Sequence, residues 1–171
     1  MTTTAAAAAA AVVKKIRGDL MQSPIQLLQD AQNLLASTAA ALKAVGANAT
    51  LYRQCLENAK RRASLTLATK SLAAVQLPEP KDTRVFEKFE REIVKVIGTA
   101  ESVTQSCVDA VESVVARRAD LVALNPELAH IIQIQIQTFE ETCAALVDLK
   151  KSIVEGRYHP EGDEGLGVAG G

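Results

Sequence analysis

The sequence is poor in the residues that build β folds and aromatic binding clefts. Its 171 residues include no Trp, five Pro and nine Gly, and aromatic residues make up only 3%. Alanine is the most frequent residue, with 29 copies. This composition favours helices over a sandwich, a barrel or a carbohydrate-binding fold. Because the length suits one well-buried domain, a single all-α domain is expected.

Cysteines are few and widely separated. Cys55, Cys107 and Cys143 are odd in number and form no Cys-x-x-Cys pair, so neither a disulfide framework nor a zinc site is indicated. We expect all three to be small core residues. Free thiols favour a reducing compartment, and the cytoplasm is predicted.

Histidine is too scarce for a metal centre or a nucleophilic active site. Glu127 and His130 have the spacing found in ferritin-like di-iron bundles, but those sites need the pair twice, and the other histidine, His159, lies near the C-terminus. No general base is placed beside a Ser or Cys nucleophile. The glycines near the C-terminus follow the last predicted helix and precede none, so they form no phosphate loop. We therefore predict no catalytic residue, no cofactor and no enzymatic activity.

Long apolar runs are also missing. The longest, residues 5–13, has nine residues and is closed by Lys14 and Lys15, whereas a bilayer span needs about 20. No transmembrane segment is expected. The basic, alanine-rich segment 5–21 could instead lie on a membrane or granule surface, or direct the chain to an organelle.

Charge is divided unevenly along the chain. Residues 1–81 carry ten Lys and Arg against four Asp and Glu, whereas residues 82–171 carry nine against sixteen. The simplest interpretation is that the basic half packs against the acidic half. Residues 60–62 form a short basic stripe without interleaved aromatic residues, so nucleic acid is an unlikely partner.

Cap signals divide the first half of the chain into helices. Ser23 before Pro24 predicts a helix start, and Gly46 predicts its end at residue 45. A weaker helix is expected over 5–22, and a third over 49–76. The predicted buried positions of 24–45 and 49–76 are Leu27, Ala31, Leu34, Ala41, Val45, Leu51, Cys55, Ala59, Ala63, Thr66 and Leu67. Two prolines then predict an extended link over 77–82.

The clearest pattern in the sequence lies over 83–124. Apolar residues step alternately by three and four positions, a 3.5-residue period typical of helices packed lengthwise. Its members are Phe86, Phe89, Ile93, Val96, Ala100, Val103, Cys107, Ala110 and Val114. We predict one long helix that could bend at Gly98.

Asn125 and Pro126 repeat the start signal, and Gly156 predicts the end of a last helix over 126–155. Residues 132–137 alternate Ile and Gln, which taken alone indicates a strand. The surrounding helical period favours a helix whose buried face comprises Ile132, Ile136, Phe139, Cys143, Leu146 and Ile153. The short turn at 125 predicts either an antiparallel hairpin with the preceding helix or one strongly kinked rod.

Residues 27–42 resemble the Ala-, Leu-, Ser- and Thr-rich helices of the talin and vinculin rod bundles. The resemblance covers a short stretch and carries no functional residue. It agrees with an all-α rod.

Together these patterns predict an elongated antiparallel four-helix bundle with heptad-type packing, or a five-helix one if the chain breaks at Pro24. The predicted divisions are a frayed helix over 1–23, the bundle over 24–156 and a disordered tail over 157–171. The expected role is a structural or interaction subunit that contacts other subunits, or itself, through Val94, Ile97, Val108 and Val111. Replacing Val108 and Val111 with Glu is expected to spare folding and abolish association. The alternative is a peripheral coat on a membrane or granule.

Overall fold

The computed structural model describes residues 23–71 and 80–160, and these parts are helical, with no strand among them. The helices are α1 (Pro24–Ser71), α2 (Pro80–Ala116), α3 (Arg118–Leu124) and α4 (Ala129–Val154), with a 3-10 turn, Pro126–Leu128, before α4. The all-α prediction is confirmed. The predicted helix at 5–22 and residues 161–171 of the predicted tail lie outside the described residues.

Helix α1 is continuous where the sequence predicted two helices. It begins as expected, because the Ser23 hydroxyl accepts a hydrogen bond from the Gln26 amide at 3.2 Å. It does not end at Gly46 but runs on to Ser71, so the predicted break at 46–48 is wrong. With 48 residues it is about 72 Å long.

Helix α2 also departs from its predicted bounds. Pro80 is its first residue rather than part of an extended link, a position that suits proline because the first amide of a helix has no partner in the helix. The helix passes through Gly98 without interruption. The break lies instead at Arg117, whose φ of −92° and ψ of 3° separate α2 from α3.

The core lies where α1, α2 and α4 meet. Helix α1 packs along α2, and α4 packs against both. Arg118 of α3 bonds to Glu140 of α4 at 3.0 Å, which agrees with the predicted antiparallel hairpin across the turn at 125. All the predicted face residues of 24–45 are buried, as are all those of the last helix.

One helix segment, Pro24–Thr66, is long and apolar enough to cross a membrane by length and composition, contrary to the sequence expectation. Its most apolar window is 44% buried in the fold. Core helices of soluble proteins pass the same test, so the finding is weak evidence for a span. The buried face of this helix packs against α2 and α4.

Helix α4 ends as the sequence predicts. Gly156 has a φ of +79°, the left-handed conformation that favours glycine. The Arg157 amide donates to the Ser152 carbonyl at 2.8 Å, and the Gly156 amide donates to Ile153 at 3.2 Å. This pair of hydrogen bonds is the Schellman motif, which provides donors for the last carbonyls of a helix.

Candidate protein interface

The C-terminal end of α4 is anchored to the middle of α1. The Arg53 guanidinium donates to the carbonyls of Ile153 at 2.8 Å and Val154 at 3.1 Å. Next to it, the Thr50 hydroxyl donates to the Tyr158 carbonyl at 2.9 Å. An arginine at this place satisfies carbonyls that lack partners in the helix and complements the negative end of the helix dipole.

Tyr158 packs at the same contact between the end of α4 and the middle of α1. Its side chain is 6% exposed, and its ring lies against Gly46. A Cβ on Gly46 would be 2.5 Å from Cε1 of that ring. The predicted disordered tail therefore does not begin at 157, because Tyr158 belongs to the core.

Replacing Arg53 with alanine should lower the free energy of unfolding by about 1 kcal/mol, because two hydrogen bonds to the end of α4 are lost. Arg61 is the matched control, since it is exposed on the same helix and its removal should change stability by less than about 0.5 kcal/mol. Urea unfolding followed by circular dichroism measures both. Equal effects of the two substitutions would contradict the role given to Arg53.

Beyond this junction α1 and α2 continue as a pair of helices, here called the arm (residues 54–71 and 80–97). Among the arm side chains that the structure describes, only Ala59 is buried. Among the α2 side chains that the structure describes, residues 84–116, all the buried ones lie from Ala100 onward. Of the described helices, two pack together in the arm, whereas three meet in the core.

The arm carries apolar residues that the sequence assigned to the core. Phe86, Phe89, Ile93 and Val96 are only half-buried, whereas Val103 at the base of the series is buried as predicted. On α1, Leu51 just before the arm is 52% exposed and Leu65 within it 63%. The predicted inward face of 49–76 is thus wrong at Leu51 and at Thr66, which is also exposed.

The four residues predicted to bind a partner do not form one exposed surface. Val94 is 68% exposed and Ile97 is half-buried, both on the arm. Val108 is half-buried against the core, and Val111 is 5% exposed within it. Val111 is thus a core residue. Its replacement with Glu is now expected to destabilise the fold rather than spare it, because an unpaired buried charge is strongly destabilising.

The burial of Val111 follows from the two neighbours of α2. The 3.5-residue period identifies one seam, but a helix that contacts both α1 and α4 buries a wider stripe. Cys107, Ala110, Val111 and Val114 all fall within that stripe. Their i, i+3, i+4, i+7 spacing in the sequence is the pattern that could have predicted the burial of Val111.

The other candidate sites are dispersed. Glu127 and His130 are both exposed, with Glu127 in the 3-10 turn. Within residues 23–71 and 80–160, no three His, Cys, Asp or Glu side chains are grouped to hold a metal ion. The basic residues 60–62 are exposed on the arm.

No protein-family model, curated protein or solved structure matches this chain significantly. The distinguishing property of the arm is its row of exposed and half-buried apolar side chains along two long helices.

Proposed function

We propose that this chain is a non-enzymatic interaction or structural subunit that packs helices of another protein subunit lengthwise along the arm. The observation that carries the proposal is the half-buried row of Phe86, Phe89 and Ile93, with Val94 exposed beside it. In a completed bundle such residues are covered by a third or fourth helix.

Lengthwise packing is favoured by the spacing of this row. Its steps of three and four residues match the period with which near-parallel helices interdigitate in coiled coils and bundles. The same series continues into the buried residues Ala100, Val103 and Cys107. A partner helix packed on the arm would therefore continue this buried face from the core along the arm portion of α2.

Charge on the arm supports a protein partner. From Arg84 to Lys95, α2 alternates acidic and basic residues, so its surface has no strong field of one sign. Mixed charges flanking an apolar row resemble the polar rim of a protein interface. We place this assembly in the cytoplasm.

Particle mass tests the proposal directly. The untagged protein, isolated gently from its native source, should occur in a particle of defined composition larger than 18.2 kDa. A second copy of the chain as sole partner would appear as a homo-oligomer, and another subunit as a hetero-complex. An 18.2 kDa monomer as the only species would overturn the proposal.

Replacing Val94 with Glu should weaken association at least about tenfold, or about 1.4 kcal/mol, because a charge would enter an apolar contact. Leu124 is the matched control: it is 74% exposed, but it lies on α3 at the other end of the molecule, so its replacement with Glu should alter affinity less than twofold. Both variants should keep the wild-type helix content and unfolding midpoint. Sedimentation velocity at graded concentrations gives the affinities, and equal affinities for Val94→Glu and wild type would exclude this face of the arm.

A further inference from the structure

One side of the arm continues the path that α4 follows in the core. Helix α4 packs against both α1 and α2, and it ends where Arg53 donates to the Ile153 and Val154 carbonyls. The arm begins at the next residue of α1. Of the helices described over 23–71 and 80–160, only α1 and α2 extend along the arm.

The side of α2 that is covered in the core is uncovered in the arm. Ile97, Thr104 and Val111 are seven residues apart and therefore share one side of the helix. Thr104 and Val111 are 3% and 5% exposed in the core, whereas Ile97 in the arm is half-buried. Ile93 and Ala100 repeat the contrast, since Ala100 is completely buried and Ile93 is half-buried.

Helix α1 contributes to the same surface. Leu56 and Lys60 follow Arg53 by three and seven residues, so they lie on the side of α1 that contacts the end of α4. On α2, Glu90 precedes Ile97 by seven residues and is exposed. These residues form what we call the arm groove: Leu56, Lys60, Phe86, Glu90, Ile93 and Ile97. The groove combines apolar side chains with one base and one acid.

We propose that the occupant of the arm groove is a second copy of this chain, whose own arm packs antiparallel in it. This inference rests on the proposed function and names the partner. Each arm has two packed helices, so two arms form a four-helix bundle that covers both grooves. Because the groove carries charges of both signs, two identical grooves do not oppose each other with a single sign.

The position of α4 fixes the antiparallel orientation. In a parallel dimer, the α4 helices of both copies would lie between the cores and hold the arms apart. In an antiparallel dimer, α4 of each copy ends opposite the tip of the partner's arm. Each groove is about 27 Å long at 1.5 Å per residue, and the arm of a second copy has the same length by symmetry.

The size of the contact predicts a modest affinity. An area about 27 Å long and about 20 Å wide covers about 500 Å² on each copy, or about 1,000 Å² in total. This total is at the lower limit for a specific protein interface. We therefore expect a dimer with a Kd of about 1–100 μM.

Sedimentation velocity of the full chain, expressed and purified alone, tests the occupant. With increasing concentration, the mass should rise from the 18.2 kDa monomer toward twice that value. Both the wild type and the variants below should keep the same helix content by circular dichroism.

An added cysteine locates the contact. The background is Cys55→Ser, because Cys55 is half-buried on the arm whereas Cys107 and Cys143 are buried. Glu90→Cys lies near the middle of the arm, where a two-fold axis brings the two copies of a residue together. A short bis-maleimide should therefore crosslink this variant to a dimer. Glu127→Cys is the matched control, since it is also exposed but lies before α4 at the opposite end of the molecule, and it should stay monomeric.

A crosslinked dimer at position 90 and none at position 127 supports the proposal. Crosslinking at 127 equal to or greater than that at 90 overturns it, because the contact then lies elsewhere. A chain that stays monomeric throughout the titration also overturns it. The proposed function then stands or falls separately, since the native particle shows whether a different subunit is present. Dimers that form only after removal of residues 161–171 would assign the groove to that segment instead of a second copy.

Discussion

Replacing Ile136 with alanine should lower the free energy of unfolding by about 2–5 kcal/mol, whereas the same change at Ile134 should alter it by less than about 0.5 kcal/mol. Ile136 is completely buried in the core, and Ile134, two residues earlier, is 50% exposed. The large loss comes from the removed apolar contacts and from the cavity that the surrounding helices cannot fill.

This pair tests the helical conformation of the Ile and Gln repeat. In a strand, Ile132, Ile134 and Ile136 would point to one face and would be buried together. In α4, Ile132 and Ile136 lie one turn apart on the core side, and Ile134 lies outside. Urea titration with equal m-values gives the two free energies, and equal losses at 134 and 136 would contradict the assigned face.

Gly46 to alanine should lower the free energy of unfolding by about 1–3 kcal/mol, although alanine is the better helix former. The added methyl group would lie 2.5 Å from Cε1 and 2.6 Å from Cδ1 of Tyr158, and 3.1 Å from Cδ1 of Ile153. Tyr158 would have to leave its buried position, which also disturbs the bond from Thr50 to the Tyr158 carbonyl.

Gly98 provides a control of opposite sign. It also lies inside a long helix, but a Cβ there would meet nothing within 4 Å. Gly98 to alanine should therefore raise stability by about 0.5–1 kcal/mol through helix propensity alone. In a Tyr158→Ala background the Gly46 change should lose most of its cost, since the obstructing ring is gone and only Cδ1 of Ile153 stays close, at 3.1 Å. An undiminished cost of Gly46→Ala without the ring would contradict the contact.

Much of the fold follows from local pattern because most of the core contacts repeat with the helical period. Every residue predicted to be buried in 24–45 and in α4 is buried, although buried Leu42 and Leu149 were not predicted. The Ser23 cap and the helix end at Gly156 were also predicted. The break expected at Gly46 was wrong for a non-local reason. A small residue is needed there because Tyr158 packs on it, and nothing near Gly46 in the sequence indicates a tyrosine so far along the chain.

The arm could be predicted only in part. Exposure of Val94 was anticipated, but the half-buried state of Phe86 and Phe89 depends on where α4 ends relative to α1. That alignment is set by Arg53 and Tyr158, which contact α4 and α1 across about a hundred residues of sequence. The spacing of apolar residues identifies one face of a helix, but it does not show how many neighbouring helices cover that face.

The unequal lengths of the helices imply unequal local stability. Opening the outer turns of the arm breaks contacts between two helices, whereas opening residues near Leu42 or Ile136 separates three. Amide hydrogens at 55–70 and 84–96 should consequently exchange with solvent through low-energy local openings. Those of the three-helix core should exchange only when the whole protein unfolds. A helix bound along the arm would raise the protection of the arm amides toward that of the core. The arm and the core would then exchange as a single cooperative unit.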